Sequence, residues 1–398
     1  MYYRDPVVAR LQVAKPLFIV VFAAVAFTST AYAATRLPVP SVNPASREGS
    51  SGKSAYAYVG APGYPADGSI YEFAIAPDGS ATPITGSPLS GADGSLVGAG
   101  QYVFGTDGKN IVTYTIGGEG ALSQTSSVDG TAYDQDQQSA TVQSLSLPSD
   151  GRDLYTDNWF VDGANNAYES WAVGSSGQLT YLPRSNGQPL YSTAGGWPFT
   201  FTADASFAYA WSVCKWDGSV WGFSRAANGS LAGINPEARG LPGMNGTTSS
   251  ECSQGVATSA LGYVAVAWNG GYCCGGPTGF AAYALESNGE LRQVPGSVVV
   301  TSENAMAFDP TGEYLAVAVA GGIQMYQLQA SGLLTPVGSV QQPSVSFSNL
   351  AWDKSNHLYA ISSSGLYIFN SSAGILTLAP GSPLAISQPG SLAVVPAS

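Results

Sequence analysis

Apolar and polar residues alternate in short runs along most of this chain. Ile70, Tyr71, Glu72, Phe73, Ala74, Ile75 and Ile323, Gln324, Met325, Tyr326, Gln327, Leu328 are two such runs, and a two-residue period is that of a half-buried strand. A turn glycine follows each copy, at Gly79, Gly120, Gly177, Gly229, Gly289, Gly332 and Gly374. Leu stands two residues after all but the first, where Ala81 takes its place. Six residues before each glycine stands an aromatic, namely Phe73, Tyr114, Trp171, Phe223, Tyr283 and Tyr326, with Phe369 displaced by one in the last copy.

A second strand-like run precedes each of these, at 55–59, 102–104, 153–156, 207–212, 263–268, 314–319 and 358–361. Another apolar stretch separates successive units, as in Ala305, Met306, Ala307, Phe308 before the turn Asp309, Pro310, Thr311, Gly312. Each unit is therefore a four-stranded antiparallel meander, strands a to d from the inside out. At about fifty residues it has the size and strand count of a propeller blade. The C-terminal Ser391, Leu392, Ala393, Val394, Val395, Pro396 reads as an inner strand with no second strand after it, whereas the first unit begins at its second strand. Each end supplies what the other lacks, and closing the ring removes exposed sheet edges. The expected fold is all-β: a seven-bladed β-propeller of four-stranded blades over residues 55–398, closed by the C-terminal strand completing blade 1.

These residues resemble the lactonase-type seven-bladed propellers, similar to bacterial 6-phosphogluconolactonase and to secreted YVTN-repeat proteins. The resemblance rests on Tyr58, Val59, Gly60 in the second strand and on the aromatic, Gly, Leu spacing. It also rests on blade-ending segments such as Thr85, Gly86, Ser87, Pro88, Leu89 and Pro380, Gly381, Ser382, Pro383, Leu384. It implies lactone hydrolysis, with His and Arg around a central funnel. One fold hosts many activities, so activity has to be argued from the site.

Composition narrows the partners. The 398 residues include 49 Gly and 25 Pro, only 10% are charged, and the net charge is −12. That balance excludes coiled coils and helical bundles, and it repels nucleic acid and anionic membrane surfaces. Arg4, Arg10 and Lys15 precede an apolar run over 17–27, and Ala31, Tyr32, Ala33 supply a small-x-small cleavage pattern. Residues 1–33 thus read as a signal peptide, with no later membrane span. Residues 34–54, with Pro38, Pro40 and Pro44, read as a linker. A secreted or periplasmic monomer is expected.

In an up-and-down sheet the d–a and b–c connections share one face and the a–b and c–d turns the other. The long insertions 60–69, 129–141, 158–166, 235–252 and 269–278 all fall on the first, here termed the loop face. Long loops on a rigid scaffold are where binding residues usually sit. The four cysteines Cys214, Cys252, Cys273 and Cys274 map there too, and an even count in an exported chain argues disulfides. The preferred pairing is Cys214 to Cys252 with a vicinal Cys273 to Cys274 bridge. The alternative joins Cys252 to one of the vicinal pair and Cys214 to the other.

Catalysis needs a base, a nucleophile or a metal. The only histidine, His357, lies by the a–b turn of blade 7, away from the long loops, and reads as a surface turn residue rather than a general base. Aligning the inner strands places Gln143, Trp197, Ser253, Asn304 and Ser348 at equivalent positions around the funnel mouth, with no charged group among them. Glu251 and Glu303, near the starts of blades 5 and 6, are the candidate bases if desolvated, and ordinary solvated loop carboxylates otherwise. Asp134, Asp136, Asp157 and Asp162 form an oxygen-rich loop cluster in blade 3 that offers calcium ligands, without the spacing of an EF-hand. Trp159 and Trp197 offer rings for stacking. Two functions follow: a binding or scaffold module recognising a small molecule, glycan or protein through the loop face, or a hydrolase or isomerase of lactone-type sugars.

Overall fold

The computed structural model describes residues 52–61, 68–131, 141–159, 166–183, 190–192, 198–211, 220–234, 252–269 and 278–397. The expected signal peptide and nearly all of the expected linker lie outside these residues.

The described residues form seven antiparallel sheets, each built on four strands in meander order, and in blades 1, 3, 5 and 7 a short fifth strand also pairs with the third. Strands a to d run as follows. Blade 2 has Leu96–Ala99, Tyr102–Thr106, Asn110–Ile116 and Leu122–Asp129; blade 3 has Thr141–Ser146, Asp153–Trp159, Asn166–Val173 and Leu179–Tyr181. Blade 4 has Thr200–Phe201, Phe207–Trp211, Val220–Arg225 and Leu231–Gly233; blade 5 has Cys252–Thr258, Tyr263–Asn269, Gly279–Leu285 and Leu291–Gln293. Blade 6 has Glu303–Phe308, Tyr314–Val319, Gly322–Leu328 and Leu334–Gln341; blade 7 has Phe347–Trp352, His357–Ser362, Gly365–Ser372 and Ile375–Leu378. Blade 1 joins the two ends of the chain: its strands b to d are Ala55–Ala61, Ser69–Ile75 and Ala81–Pro83, and its strand a is Ser391–Pro396, paired with Ala55–Ala61. The seven blades and the closure agree with the sequence reading.

The core is divided into wedges, one at each contact between neighbouring blades. Ala55, Val59 and Phe73 of blade 1 pack on Tyr359, Ile361 and Leu366 of blade 7, while Tyr58 and Ile70 of blade 1 face Val103 and Tyr114 of blade 2. Strand b therefore has both faces buried, which explains runs of small and branched apolar residues such as Tyr314–Val319. Strand d keeps one face in water, and Leu122–Asp129 is accordingly polar between Leu122 and Val128.

The repeated turn glycine is explained by a contact between blades. Gly120, at φ 92°, lies against Tyr56 of blade 1, and a Cβ there would stand 2.3 Å from the ring. The same clash awaits Gly177 against Tyr102, Gly289 against Phe207, Gly332 against Tyr263 and Gly374 against Tyr314. The glycine carbonyls are used as well. Tyr58 Oη donates to Gly120 O at 2.7 Å, Tyr155 Oη to Gly229 O at 2.7 Å, and Tyr209 Oη to Gly289 O at 2.6 Å.

Two further ties lie on the same turn face. Arg225 of blade 4, almost fully buried, donates to Asp150 at 2.7 Å, to Asp153 and to Tyr155 Oη at 2.9 Å, all in blade 3. His357 corrects the sequence reading. It is on the expected face but is buried, 3% exposed, at the seam between blades 7 and 1. Its Nδ1 lies 2.7 Å from Asp353 Oδ2, which also accepts from Tyr359 Oη at 2.9 Å, and its Nε2 lies 3.2 Å from Pro77 O. Asp353 raises the His357 pKa above its ordinary value through this hydrogen bond, against the opposing effect of burial. The protonated ring donates from both nitrogens to the two acceptors it faces.

The glycine contact makes a stability prediction. Alanine at φ 77° in Gly381, which has open space around it, should cost about 1–2 kcal/mol from backbone strain alone. Gly120→Ala adds overpacking against Tyr56 and should cost about 2–5 kcal/mol in denaturant unfolding. Equal losses in the two variants would show that the contact between blades contributes nothing.

Candidate functional site

The inner strands build the mouth of the funnel on the loop face. In blades 3, 5, 6 and 7 the pairing of strand a with strand b skips one residue of strand a, and the residues skipped are Gln143, Gln254, Asn304 and Ser348. Such a bulge re-aims the side chain of the unpaired residue. Gln143, Asn304 and Ser348 are exposed there, and Gln254 is half-buried. Asn304 Nδ2 donates to Ser346 Oγ of blade 7 at 3.4 Å. Three of the residues picked from sequence thus occupy one ring, whereas blade 5 corrects the fourth: Ser253 pairs with Trp268, and Gln254 takes the ring position. A bulge changes the register by one residue, and the apolar pattern does not display it.

In blades 1 and 2 the corresponding residues are Gly390 and Gly94. Their amides donate to Gly60 O at 2.8 Å and to Thr106 O at 2.9 Å, as the ladder requires, and they add no side chain. Among the described residues the ring therefore carries polar side chains at blades 3, 5, 6 and 7 and none at blades 1 and 2. Beside the open part lies a cleft of about 660 Å³ whose lining includes Asp93, Gly94, Asp107, Tyr114 and Gln143.

The residue just before the ring position points into the wedge between blades. It is Val142 in blade 3 and Phe347 in blade 7, both buried. In blades 6 and 2 the same position holds a carboxyl group, Glu303 and Asp93. Glu303 is 3% exposed, which corrects its reading as a solvated loop carboxylate, and neither of its oxygens has a hydrogen-bond partner. It faces Gly255 of blade 5, where a methyl group would lie 3.8 Å from its Oε2. Burial without compensation pushes its pKa up to about 7. Asp93 is 9% exposed and sits so tightly on Gly68 of blade 1 that no Cβ fits there. Burial raises its pKa too, partly offset by backbone hydrogen bonds, and its Oδ2 has no partner. Glu72 provides a contrast. Equally buried, it accepts from Leu122 N at 2.7 Å and ties blade 1 to blade 2.

Asp93 escaped the sequence reading, although it precedes Gly94 as Glu303 precedes Asn304; looking for side chains at the ring position alone passed over it. Asp157, read as a loop ligand for calcium, lies within strand b of blade 3 and is buried, because that strand continues to Trp159. Asp134, Asp136 and Asp162 lie outside the described residues, as do Trp197, Glu251, Cys214, Cys273 and Cys274. The backbones of Trp159 and Cys252 belong to strands, at the end of strand b in blade 3 and the start of strand a in blade 5. Among the described residues no three His, Cys, Asp or Glu side chains gather as a metal site, and no helix is long and apolar enough to cross a membrane.

The architecture has solved counterparts. A putative 6-phosphogluconolactonase from Bacteroides uniformis is 16% identical, with a TM-score of 0.64, over 86% of this chain and 100% of that chain. A periplasmic gluconolactonase from Pseudomonas aeruginosa is 18% identical, with a TM-score of 0.63, over 86% and 99%. A Lactobacillus plantarum protein is 13% identical, with a TM-score of 0.63, over the same shares. No protein-family model and no curated protein matches the sequence. The chain is by fold a seven-bladed β-propeller, similar to these proteins as the sequence resemblance implies, and these identities speak for the fold alone.

Glu303 makes a pH-dependent prediction. Because its folded pKa lies above that of an exposed carboxyl, its neutral form favours the fold fully below about pH 4.5, and that contribution is lost as the pH rises through about 7. Glu303→Gln should therefore match wild type near pH 4 and exceed it by about 3 kcal/mol above about pH 8 in denaturant unfolding. Parallel pH profiles for the two proteins would show a solvated or paired Glu303.

Proposed function

We propose that this protein is an exported propeller that binds a neutral, hydroxylated small molecule, a sugar or sugar lactone, at the loop-face mouth. The observation that carries this reading is the ring itself. Gln143, Gln254, Asn304 and Ser348 are uncharged and can both donate and accept, which matches hydroxyls and a lactone carbonyl. No Lys, Arg or His stands at the ring positions to meet a phosphate, and the Asp107 carboxylate in the adjoining cleft, held below the ordinary pKa by its hydrogen bonds, disfavours anions further. Export is supported by the apolar run over 17–27 after Arg4, Arg10 and Lys15. The periplasmic gluconolactonase of similar fold is consistent with it.

Glu303 favours a second reading, hydrolysis of the bound lactone. A carboxyl group titrating near neutrality suits general acid–base work. Both its oxygens are enclosed in the wedge, so the chemistry requires the side chain to turn to the mouth; there it would take a proton from water as the water adds to the lactone carbonyl, and return it to the ring oxygen as the acyl–oxygen bond breaks. No histidine is needed for that exchange.

Saturation-transfer NMR and proton release test both readings on one protein. Glucono-δ-lactone and methyl β-D-glucopyranoside should bind, and gluconate and 6-phosphogluconate should not. Preferential binding of the anions would contradict the neutral-ligand reading. If lactone turnover exceeds buffer, Glu303→Gln should lower it by about 10²–10⁴-fold; unchanged turnover removes Glu303 from the chemistry.

A further inference from the structure

The mouth is not evenly closed, and its open side has chemistry of its own. Gly390 and Gly94 leave the ring without side chains at blades 1 and 2, and the cleft of about 660 Å³ lies beside them, reaching from Gln143 past Asp93 to Gln124 and Ser127 on the outer strand of blade 2. Its volume falls within the ordinary range for small-molecule pockets, about 300–1,000 Å³, and is far larger than a bare cation requires.

The polar groups along this cleft are differently prepared. Asp107 is satisfied and fixed: it accepts from the Lys109 amide at 2.9 Å, the Asn110 amide at 2.6 Å and Asn110 Nδ2 at 2.9 Å. Although burial opposes ionisation, these bonds hold its pKa below the ordinary carboxylate value. Tyr114 Oη accepts the Ala92 amide at 2.9 Å, which leaves its own proton to donate. Asp93 differs from both. It is more than nine-tenths buried, lines the cleft, and keeps Oδ2 without any partner. A buried acceptor left unpaired is costly; Oδ2 lies enclosed against Gly68, and a side-chain turn from there into the cleft would let a ligand hydroxyl supply the missing donor.

We propose that the blade 1–2 cleft is the ligand seat of the mouth, taking one pyranose-sized neutral polyol whose hydroxyls are received by Asp93, with Gln143 closing the ring side. This rests on the neutral-ligand reading above and adds where the ligand sits and which residue selects it. Glycine at both ring positions is what keeps the seat open. The carboxylate of Asp107 sets the charge class, since an acidic or phosphorylated sugar would be repelled by it.

Titration of the full chain with methyl β-D-glucopyranoside, followed by saturation-transfer NMR, tests the placement. Asp93→Asn should weaken binding by about tenfold or more, consistent with one to two hydrogen bonds. Ser127→Trp, a change at an exposed outer-strand position, should abolish binding by filling the cleft while leaving the thermal midpoint near that of wild type. If Asp93→Asn fails to fold, Ser127→Trp decides alone. Binding that survives Ser127→Trp unchanged would overturn the cleft placement while the mouth reading stands. A wild-type protein that binds no neutral sugar would defeat the mouth reading itself. Glucosamine binding more than tenfold tighter than the glucoside would overturn the neutral class.

Discussion

The ring depends on a close approach between neighbouring blades: at five of the seven contacts a left-handed glycine in the c–d turn of one blade lies on the aromatic residue that opens strand b of the blade before it. Two requirements meet at that glycine. The turn needs a positive φ, which a side chain resists, and the neighbouring ring needs the space a Cβ would fill. In several blades its carbonyl also accepts a tyrosine hydroxyl from the preceding blade. A blade alone could not bury its faces, so each is stabilised by the pair on either side. The wedge-shaped core, the buried Arg225 cluster and the His357 seam all reinforce these same contacts on the turn face.

A rigid turn face leaves the opposite face free to vary. There the inner strands begin with a bulge that aims uncharged side chains at the mouth, and the preceding residue is directed into the wedge. In most of the described blades that inward residue is apolar or small, as packing demands. Asp93 and Glu303 break the rule, each placing a carboxyl group where water is scarce and a partner is missing. Unpaired buried acids lower stability, and such local conflicts cluster at functional sites. Their location directly behind the mouth is the strongest physical pointer to function in the molecule.

Much of the architecture is legible in the sequence because its cause is periodic. The turn glycine, the aromatic six residues earlier and the leucine two residues later recur since most blade contacts repeat one geometry, and Ser391–Pro396 reads as an unpaired inner strand because it completes the same meander. The site is less legible because its causes are local exceptions. The bulge that exchanges Ser253 for Gln254 is a one-residue matter of register. The burial of Glu303 and His357 depends on which neighbour covers them, and polarity alone assigns both to the surface. Asp93 is hidden by its glycine neighbour, since the opening of the mouth at Gly94 and Gly390 is a missing side chain and not a motif. The uncharged character of the mouth positions, by contrast, is legible directly, since Gln143, Asn304 and Ser348 are read off the aligned inner strands.

If the mouth is built around desolvated acids, one property of the free protein must show it. Carbon-13 NMR of the side-chain carboxyl of Glu303, assigned by comparison with Glu303→Gln and followed from acid to mildly alkaline pH, measures that property directly. A titration midpoint near 7 is the predicted result. A midpoint near the ordinary 4.5 would contradict it, showing a carboxylate that water or an unrecognised donor already satisfies.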